Sequence, residues 1–258
     1  MTRVSELLNL SGRRAIITGA TGNLGRIFTE TLAELEADLI LVDRPGTNLE
    51  ELVKTTRRDY GVEVKYFFVD LESQLSRLDF LTGIKDSQDQ VDILVNNAAF
   101  VGTTDLSGWK DKFELQSTET WRRALEVNLT SVFELCRELS PKLIDSGHGS
   151  IINISSIYAT HAPDWKIYED TDLGNPAAYA ASKGGLIQLT RWLATTLGPA
   201  VRVNSIAPGG IFRDQPDIFV KRYSSKTPLG RMATEDDLRG ALAYLASDLS
   251  SYVTGQII

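Results

Sequence analysis

Six short runs rich in aliphatic and β-branched residues mark out the chain: RAIIT (14–18), DLILV (38–42), VKYFFV (64–69), DILVN (92–96), SIINIS (150–155) and VRVNSIA (201–207). Between and after them lie stretches with helical periodicity, around residues 24–36, 48–59, 73–83, 117–146, 179–198 and 234–246. Strands this continuously apolar need cover on both faces, and a parallel sheet with crossover helices on either side provides it. The alternation predicts an α/β fold with a doubly wound parallel sheet of about seven strands. No repeat, low-complexity tract or flexible linker divides the 258 residues, so one domain over 1–258 is expected.

Composition narrows the function. A hydrophobic content of 42% supports one substantial core. Lys and Arg number 27 against 34 Asp and Glu, a net charge of −7, and no basic stripe carries interleaved aromatics, so no nucleic-acid partner is expected. MTRVSELLNLSGRR lacks the apolar core of a signal peptide, and no later run is long enough to span a membrane. These features predict a soluble, cytoplasmic protein without a membrane partner. Cys136 is the single cysteine; with Val132, Leu139 and Leu143 at helical spacing, it is expected to be a buried structural thiol. No metal site is expected.

Two stretches break the rhythm. DWKIYEDTDLGNP (164–176) is polar and aromatic without a period, and PGGIFRDQPDIFVKRYSSKTPLG (208–230) is long and punctuated by prolines. Excursions of that length in a compact domain commonly serve binding. Residues 160–176 are expected to form a substrate-pocket insert and 208–230 a substrate lid.

The first strand runs directly into GATGNLGRIFTETLAEL, which places Gly19, Gly22 and Gly25, with Asn23 and Leu24 among them, at a strand-to-helix turn. Glycines there let the backbone turn tightly and approach a pyrophosphate held at the helix N-terminus, as in the Rossmann fold. The second strand ends at Asp43, 18 residues beyond Gly25. A carboxylate there can accept both adenosine ribose hydroxyls and repels a 2′-phosphate, which predicts NAD in preference to NADP. Arg44 works the other way, since a guanidinium beside the ribose can receive a phosphate. Further along, NPAAYAASKGGL sets Tyr179 and Lys183 four residues apart on one helical face, so a phenol and an ammonium share one small site.

In order and spacing, TGATGNLG (18–25), VD (69–70), NNAA (96–99), VN (127–128), INISS (152–156), YAASK (179–183), NSIAPGG (204–210) and LASDLSSYVTGQ (245–256) resemble the short-chain dehydrogenase/reductase family over nearly the whole chain. The resemblance implies an NAD(P)-dependent oxidoreductase interconverting a secondary alcohol and a ketone. It implies that Asp70, beside Leu71, hydrogen-bonds the adenine amino group, and that Asn97, Ala98 and Ala99 line the cofactor ribose. Asn128 matches the asparagine that holds a helix kink and a relay water. Ser156 matches the substrate-orienting serine, Ser155 being structural, and Pro208, Gly209 and Ile211 match the turn that binds the nicotinamide carboxamide. Tyr179 would then be the general acid/base, its phenol shifted toward ionisation by Lys183, which also holds the nicotinamide ribose.

Departures from the family pattern carry what is individual here. The glycine pattern is TGxxGxxG, with Asn23 in the usual middle-glycine slot. Tyr179 follows Ser156 by 23 positions, more than most compact members allow. The surplus is expected to rim the substrate pocket with Trp165, Tyr168, Glu169 and Asp170. Arg213 stands where the family often has threonine, and is assigned to the substrate side. The chain ends at GQII, where relatives continue through a last strand, which leaves that strand uncertain.

An insert rich in acids and aromatics suits a small, polar, sugar-like substrate, and its wording is similar to reductases of bacterial surface-glycan and nonulosonic (legionaminic) acid pathways. Three alternatives stand beside this: a 3-oxoacyl-thioester reductase, an epimerase or dehydratase that returns hydride to the same substrate, and a non-catalytic NAD-binding regulator. Helices with long apolar faces, such as Leu186, Leu189, Leu193 and Leu197, predict a homotetramer or homodimer.

Overall fold

The computed structural model describes residues 2–101 and 106–258. Six strands, β1 (Arg14–Thr18), β2 (Asp38–Asp43), β3 (Val64–Phe68), β4 (Ile93–Asn96), β5 (Gly149–Ile154) and β6 (Val201–Ile206), form one parallel sheet in the order β3-β2-β1-β4-β5-β6. The register aligns Ile16 with Ile40 on one side and with Leu94 on the other. The strand order reverses between β1 and β4, and at such a switch point a crevice opens beyond the carboxyl ends of the strands.

Nine α-helices surround the sheet: α1 (Val4–Leu8), α2 (Asn23–Glu34), α3 (Leu49–Tyr60), α4 (Gln74–Asp86), α5 (Thr118–Leu125), α6 (Ser131–Asp145), α7 (Ala177–Leu197), α8 (Asp217–Lys226) and α9 (Arg239–Ala246), counted among the described residues. The period of two along β1 and β2 divides the core. Ala15, Ile17, Leu39 and Leu41 pack on α2, α3 and α9, while Ile16, Ile40 and Val42 pack on α4, α6 and α7. Each burial of a Leu- or Ile-sized chain is worth about 1.5–3 kcal/mol, and this two-sided cover fixes the sheet that the site stands on.

The expected seventh strand is not formed among the described residues. The C-terminal tail lies parallel beside β6, with an isolated bridge between Ser205 and Ile257; Ser205 donates to the Gln256 carbonyl at 2.9 Å and Ala207 to that of Ile258 at 2.7 Å. That pairing is too short to count as a strand. The leucine face of α7 is also corrected: Leu186 and Leu193 are buried in the chain's own core, and Leu189 and Leu197 pack against it. The large apolar side chains left exposed on α5, α6 and α7 are Trp121, Phe133, Ile144 and Trp192. Cys136 is fully buried, and burial pushes its thiol up to about 12, as a structural thiol requires.

Two elements were not anticipated. The lid stretch contains α8, and the insert contains a 3₁₀ turn over Trp165–Ile167. Ile167 of the insert, Phe219 of α8 and Met232 form a small buried cluster of their own, joined by Tyr168, Leu173, Val220 and Tyr223. Arg222 reaches the Glu169 carbonyl and the Asp170 carboxylate, and Lys226 pairs with Asp164. Insert and lid are therefore packed together as one wall.

Candidate active site

A cleft of about 680 Å³ lies at the carboxyl ends of the strands, and the loops after β1, β2, β3, β4, β5 and β6 all reach it. At one end the chain leaves β1 through Gly19, whose φ of +66° is left-handed and therefore suited to glycine. A Cβ on Gly19 would lie 2.8 Å from the Ala98 Cα, and one on Gly25 only 2.0 Å from the Gly19 carbonyl oxygen. Loop and helix are thus as close as backbone allows. Gly22 caps α2 without a side-chain contact, so the N–H groups of the first turn remain for an anion; Asn23 and Leu24 line the cleft there. Gly25 is packed beneath rather than facing the cleft.

Hydrogen bonds around this loop tie it to its neighbours. Thr18 Oγ1 accepts from the backbone N–H of Asn97 and of Ala98, both at 3.1 Å, and Asn97 Nδ2 donates to the carbonyls of Thr18 and Gly19 at 3.0 Å. Ala98 and Ala99 then border the cleft. Asp43 Oδ2 accepts from both the backbone N–H and the hydroxyl of Thr21, each at 2.7 Å, and Oδ1 accepts from Arg44 N–H at 2.8 Å. This modifies the expectation that Asp43 receives both ribose hydroxyls. Oδ2 is filled by Thr21, so Oδ1 keeps room for one. Asp70 Oδ1 accepts from Glu72 N–H, and Leu71 offers its carbonyl to the buried Arg77, which also binds Glu126 and Glu134 at 2.6 Å. Arg77 thereby fixes the β3 loop against α5 and α6.

At the other end stand Ser156, Tyr179 and Lys183, all lining the same cleft. Ser156 follows β5 in extended conformation, and its Oγ accepts from Tyr158 N–H at 3.2 Å. That contact leaves the Ser156 proton to be donated outward. Ser155 donates to the Lys183 carbonyl at 3.0 Å, a structural bond. Lys183 is only 2% exposed, donates to the Ile154 carbonyl at 2.7 Å and lies 5.8 Å from the centre of the Tyr179 ring. Burial lowers its ammonium to about 8. Burial likewise raises the Tyr179 phenol, while the Ser156 hydroxyl and the Arg213 charge pull it back. In the protein alone burial is the largest influence on the phenol, and the Arg213 charge acts on it in addition to the neighbouring Lys183 ammonium.

Asn128 is placed within a π-helical turn, Glu126–Thr130, that joins α5 to α6. Its side chain is fully buried: Oδ1 accepts from Phe100 N–H at 2.6 Å, and Nδ2 donates to Ser182 Oγ at 3.0 Å. It holds the β4 loop to α7 and does not line the cleft. Pro208, Gly209 and Ile211 do line it; the Pro208 carbonyl accepts from Ile157 N–H at 3.0 Å, and Gly210 N–H donates to the Tyr223 hydroxyl at 2.5 Å.

The insert is only partly where it was expected. Trp165 is 58% exposed, Glu169 and Asp170 are exposed as well, and none of the three is among the residues that line the cleft. Ile167 and Tyr168 turn inward because their apolar surface packs on Phe219, and this sends their neighbours outward. Tyr168 alone approaches the catalytic end, through a hydroxyl contact with Tyr158. Arg213 does line the cleft. Thr21, Arg77, Tyr158 and Tyr223 are functional supports that the motifs did not flag; only Tyr158, two places after Ser156, carried a positional signal.

The residues present fit a dinucleotide. The glycine loop offers backbone N–H groups to a pyrophosphate, Asp43 Oδ1 and Asp70 offer acceptors, and the cleft is continuous from there to Tyr179. Among the described residues no group of three His, Cys, Asp or Glu is gathered as a metal site would need, and no helix is long and apolar enough to cross a membrane.

Known proteins agree with this geometry. The family model described as enoyl-(acyl carrier protein) reductase matches residues 19–258. The 3-oxoacyl-(acyl-carrier-protein) reductase FabG of Aquifex aeolicus is 30% identical over 257 residues, 97% of this chain and 96% of that protein. The NADPH-dependent 3-quinuclidinone reductase of Rhodotorula rubra superposes with a TM-score of 0.87 at 26% identity, covering 100% of this chain and 93% of that one. A gluconate 5-dehydrogenase from Burkholderia cenocepacia, solved with NADP and tartrate, gives 0.84 at 28% identity, covering 99% and 96%. With the glycine loop, the Ser-Tyr-Lys end and this agreement along its whole length, the chain belongs to the short-chain dehydrogenase/reductase family of nicotinamide-dependent oxidoreductases.

Proposed function

We propose that the chain is a cytoplasmic NAD-dependent dehydrogenase or ketoreductase acting on a secondary alcohol or ketone within a small, polyhydroxylated molecule. The observation that carries the reading is the shared cleft: Ser156, Tyr179 and Lys183 stand at one end and the glycine loop with Asp43 at the other. A nicotinamide cofactor supplies the hydride acceptor or donor when bound. The Tyr179 hydroxyl takes the proton from a carbinol oxygen in oxidation and returns it to a carbonyl oxygen in reduction. The Ser156 proton, free of the Tyr158 contact, is donated to the same oxygen as negative charge develops on it. Lys183 would hold the nicotinamide ribose when the cofactor is bound, and Asn128 keeps the β4 loop and α7 in register. Asp43 favours NAD by repelling a 2′-phosphate, although the two solved relatives above use or hold NADP(H).

The polar substrate is supported by the polar side chains that line the cleft at this end, Ser156, Arg213 and Gln215, and by the gluconate 5-dehydrogenase likeness. A place in bacterial surface-glycan or nonulosonic-acid synthesis fits the same reading. A 3-oxoacyl-thioester reductase is the second reading, favoured by the Aquifex aeolicus relative. Against it, the net charge of −7 opposes docking of an acidic carrier protein. Exposed Trp121, Phe133 and Trp192 on α5, α6 and α7 support a homotetramer or homodimer, which sedimentation at micromolar concentration checks.

The test is to follow nicotinamide absorbance while the protein with NAD or NADP meets polyols, sugar acids, sugar phosphates, nucleotide sugars and an acetoacetyl thioester. Turnover with NAD and a polyol-type compound is expected. Turnover with the thioester and NADPH alone would replace this reading by the second.

A further inference from the structure

Among the arginines of the lid stretch and its exit, Arg222 binds the Glu169 carbonyl and Asp170, and Arg231 grips Asp237 through both Nη atoms, at 2.6 and 2.7 Å. Arg213 is different. Only its Nε is engaged, donating to Glu235 Oε1 at 2.9 Å. Its backbone N–H donates to Gln215 Oε1 at 2.7 Å, and Gln215 Nε2 in turn donates to the Ile211 carbonyl at 2.9 Å. The residue is thus held from behind at both main chain and side chain, and its two Nη atoms have no protein partner among the described residues. It lines the cleft together with Ser156 and Tyr179, and its charge reaches the Tyr179 phenol.

A guanidinium fixed at Nε presents its two Nη atoms as a fork, the arrangement that receives a carboxylate or phosphate through two parallel bonds. Lys183, the other cation at this end, spends a proton on the Ile154 carbonyl and is buried behind the ring of Tyr179. The acids lining the cleft, Asp43, Asp70 and Glu72, lie at the opposite end, where the strands β2 and β3 deliver them. Arg44 and Arg123 accompany those acids, Arg123 paired with Glu72, so what marks the Tyr179 end is an exposed cation whose two Nη atoms are open beside Ser156 and Tyr179.

We infer that Arg213 anchors an anionic group, a carboxylate or a phosphate monoester, carried by the substrate near the carbon that is oxidised or reduced. This rests on the proposed redox reading and narrows its substrate to acids or phosphate esters of the polyol class. Glu235 and Gln215 act as positioning residues that hold the fork in place. A neutral polyol would leave the guanidinium facing the cleft unpaired, and would bind less tightly.

The test uses the full-length protein saturated with NADH, which does not turn over alcohols, so binding is read without catalysis. Isothermal titration compares D-glucitol with D-gluconate and D-glucitol 6-phosphate, which differ from it in one terminal group. Gluconate or the phosphate ester is expected to bind at least tenfold more tightly than glucitol, and which of them does so identifies the anion. In Arg213→Gln the preference should fall below twofold while the NADH dissociation constant stays within twofold. Arg213→Lys, which keeps the charge and loses the fork, should retain part of the preference. Glu235→Gln, which leaves Arg213 in place, should weaken it less than Arg213→Gln does.

Wild-type protein that binds both anions no better than glucitol, undetectable binding included, overturns the inference. So does an Arg213→Gln variant whose NADH affinity falls tenfold, because the anion held would then be the cofactor pyrophosphate. The two readings fail separately. Turnover of neutral alcohols without anion preference removes this inference and keeps the redox reading, whereas anion preference without turnover of any alcohol removes the redox reading and leaves Arg213 as an anion site alone.

Discussion

At the glycine-loop end of the cleft the contacts are made by backbone and by residues within a few positions of a strand end. Gly19, Gly25, Thr18 and Asn97 lock together with no room for an added methyl. At the Tyr179 end the cleft is lined by Pro208, Gly209, Ile211, Arg213 and Gln215 of the lid stretch, which the insert braces from outside through Ile167, Tyr168 and Phe219 in a cluster separate from the main core. The first kind of construction tolerates almost no substitution and serves one invariant ligand. The second can be altered without touching the sheet.

Breaking the first end should cost most. Gly25→Ala places a methyl 2.0 Å from the Gly19 carbonyl oxygen, and is expected to destabilise the fold by about 3 kcal/mol or more and to abolish NADH binding. Thermal unfolding and cofactor titration of the variant check this. An unchanged melting temperature would show that the loop is looser than its geometry states.

The buried lysine sharpens the same comparison through pH. Lys183 is lowered from 10.5 to about 8 by burial, so between those values the unfolded chain binds more protons than the folded one. Stability of the cofactor-free protein should therefore rise with pH from about 8 to about 10.5, relieving a penalty of about 3 kcal/mol. Lys183→Met should remove that rise, which denaturant titrations at several pH values would show. Parallel pH profiles in the two proteins would place the ammonium in water.

Loosening the second end should leave the first intact. Phe219→Ala empties the centre of the insert–lid cluster, and is expected to raise KM for substrate about tenfold and to expose residues 160–176 to proteolysis. NADH affinity should not change. The smallest effect belongs to Asp43→Asn, which removes one charge beside the adenosine ribose while keeping acceptance from Thr21. It should shift the NAD to NADP preference by about fivefold, or about 1 kcal/mol, in paired kcat/KM measurements.

The sheet and both faces of helices were legible in the sequence because parallel strands buried on two sides read as unbroken apolar runs, as DLILV and SIINI do. The glycine loop and the Tyr179–Lys183 pair were legible for a similar reason: each is a local spacing with a single geometry. The pairing of Asp43 with Thr21 was not, since it joins residues 22 positions apart across a loop. Nor was the outward turn of Trp165 and Glu169, which depends on Phe219 of α8 packing against Tyr168 and Ile167. The α7 leucines show the limit of periodicity: it identifies an apolar face, but not whether the chain's own sheet or a second subunit covers it. The added influence of Arg213 on Tyr179 was not legible either, because Arg213 stands 34 positions away and arrives through the fold.

The most direct test of the account is the separation of binding from chemistry at Tyr179. In Tyr179→Phe, calorimetry should give an NADH dissociation constant within twofold of the wild type, while kcat with the best substrate from the panel falls by roughly 10³-fold. Turnover that survives the loss of the hydroxyl would contradict the assignment of Tyr179 as the proton-transfer group, and with it the catalytic role given to this end of the cleft.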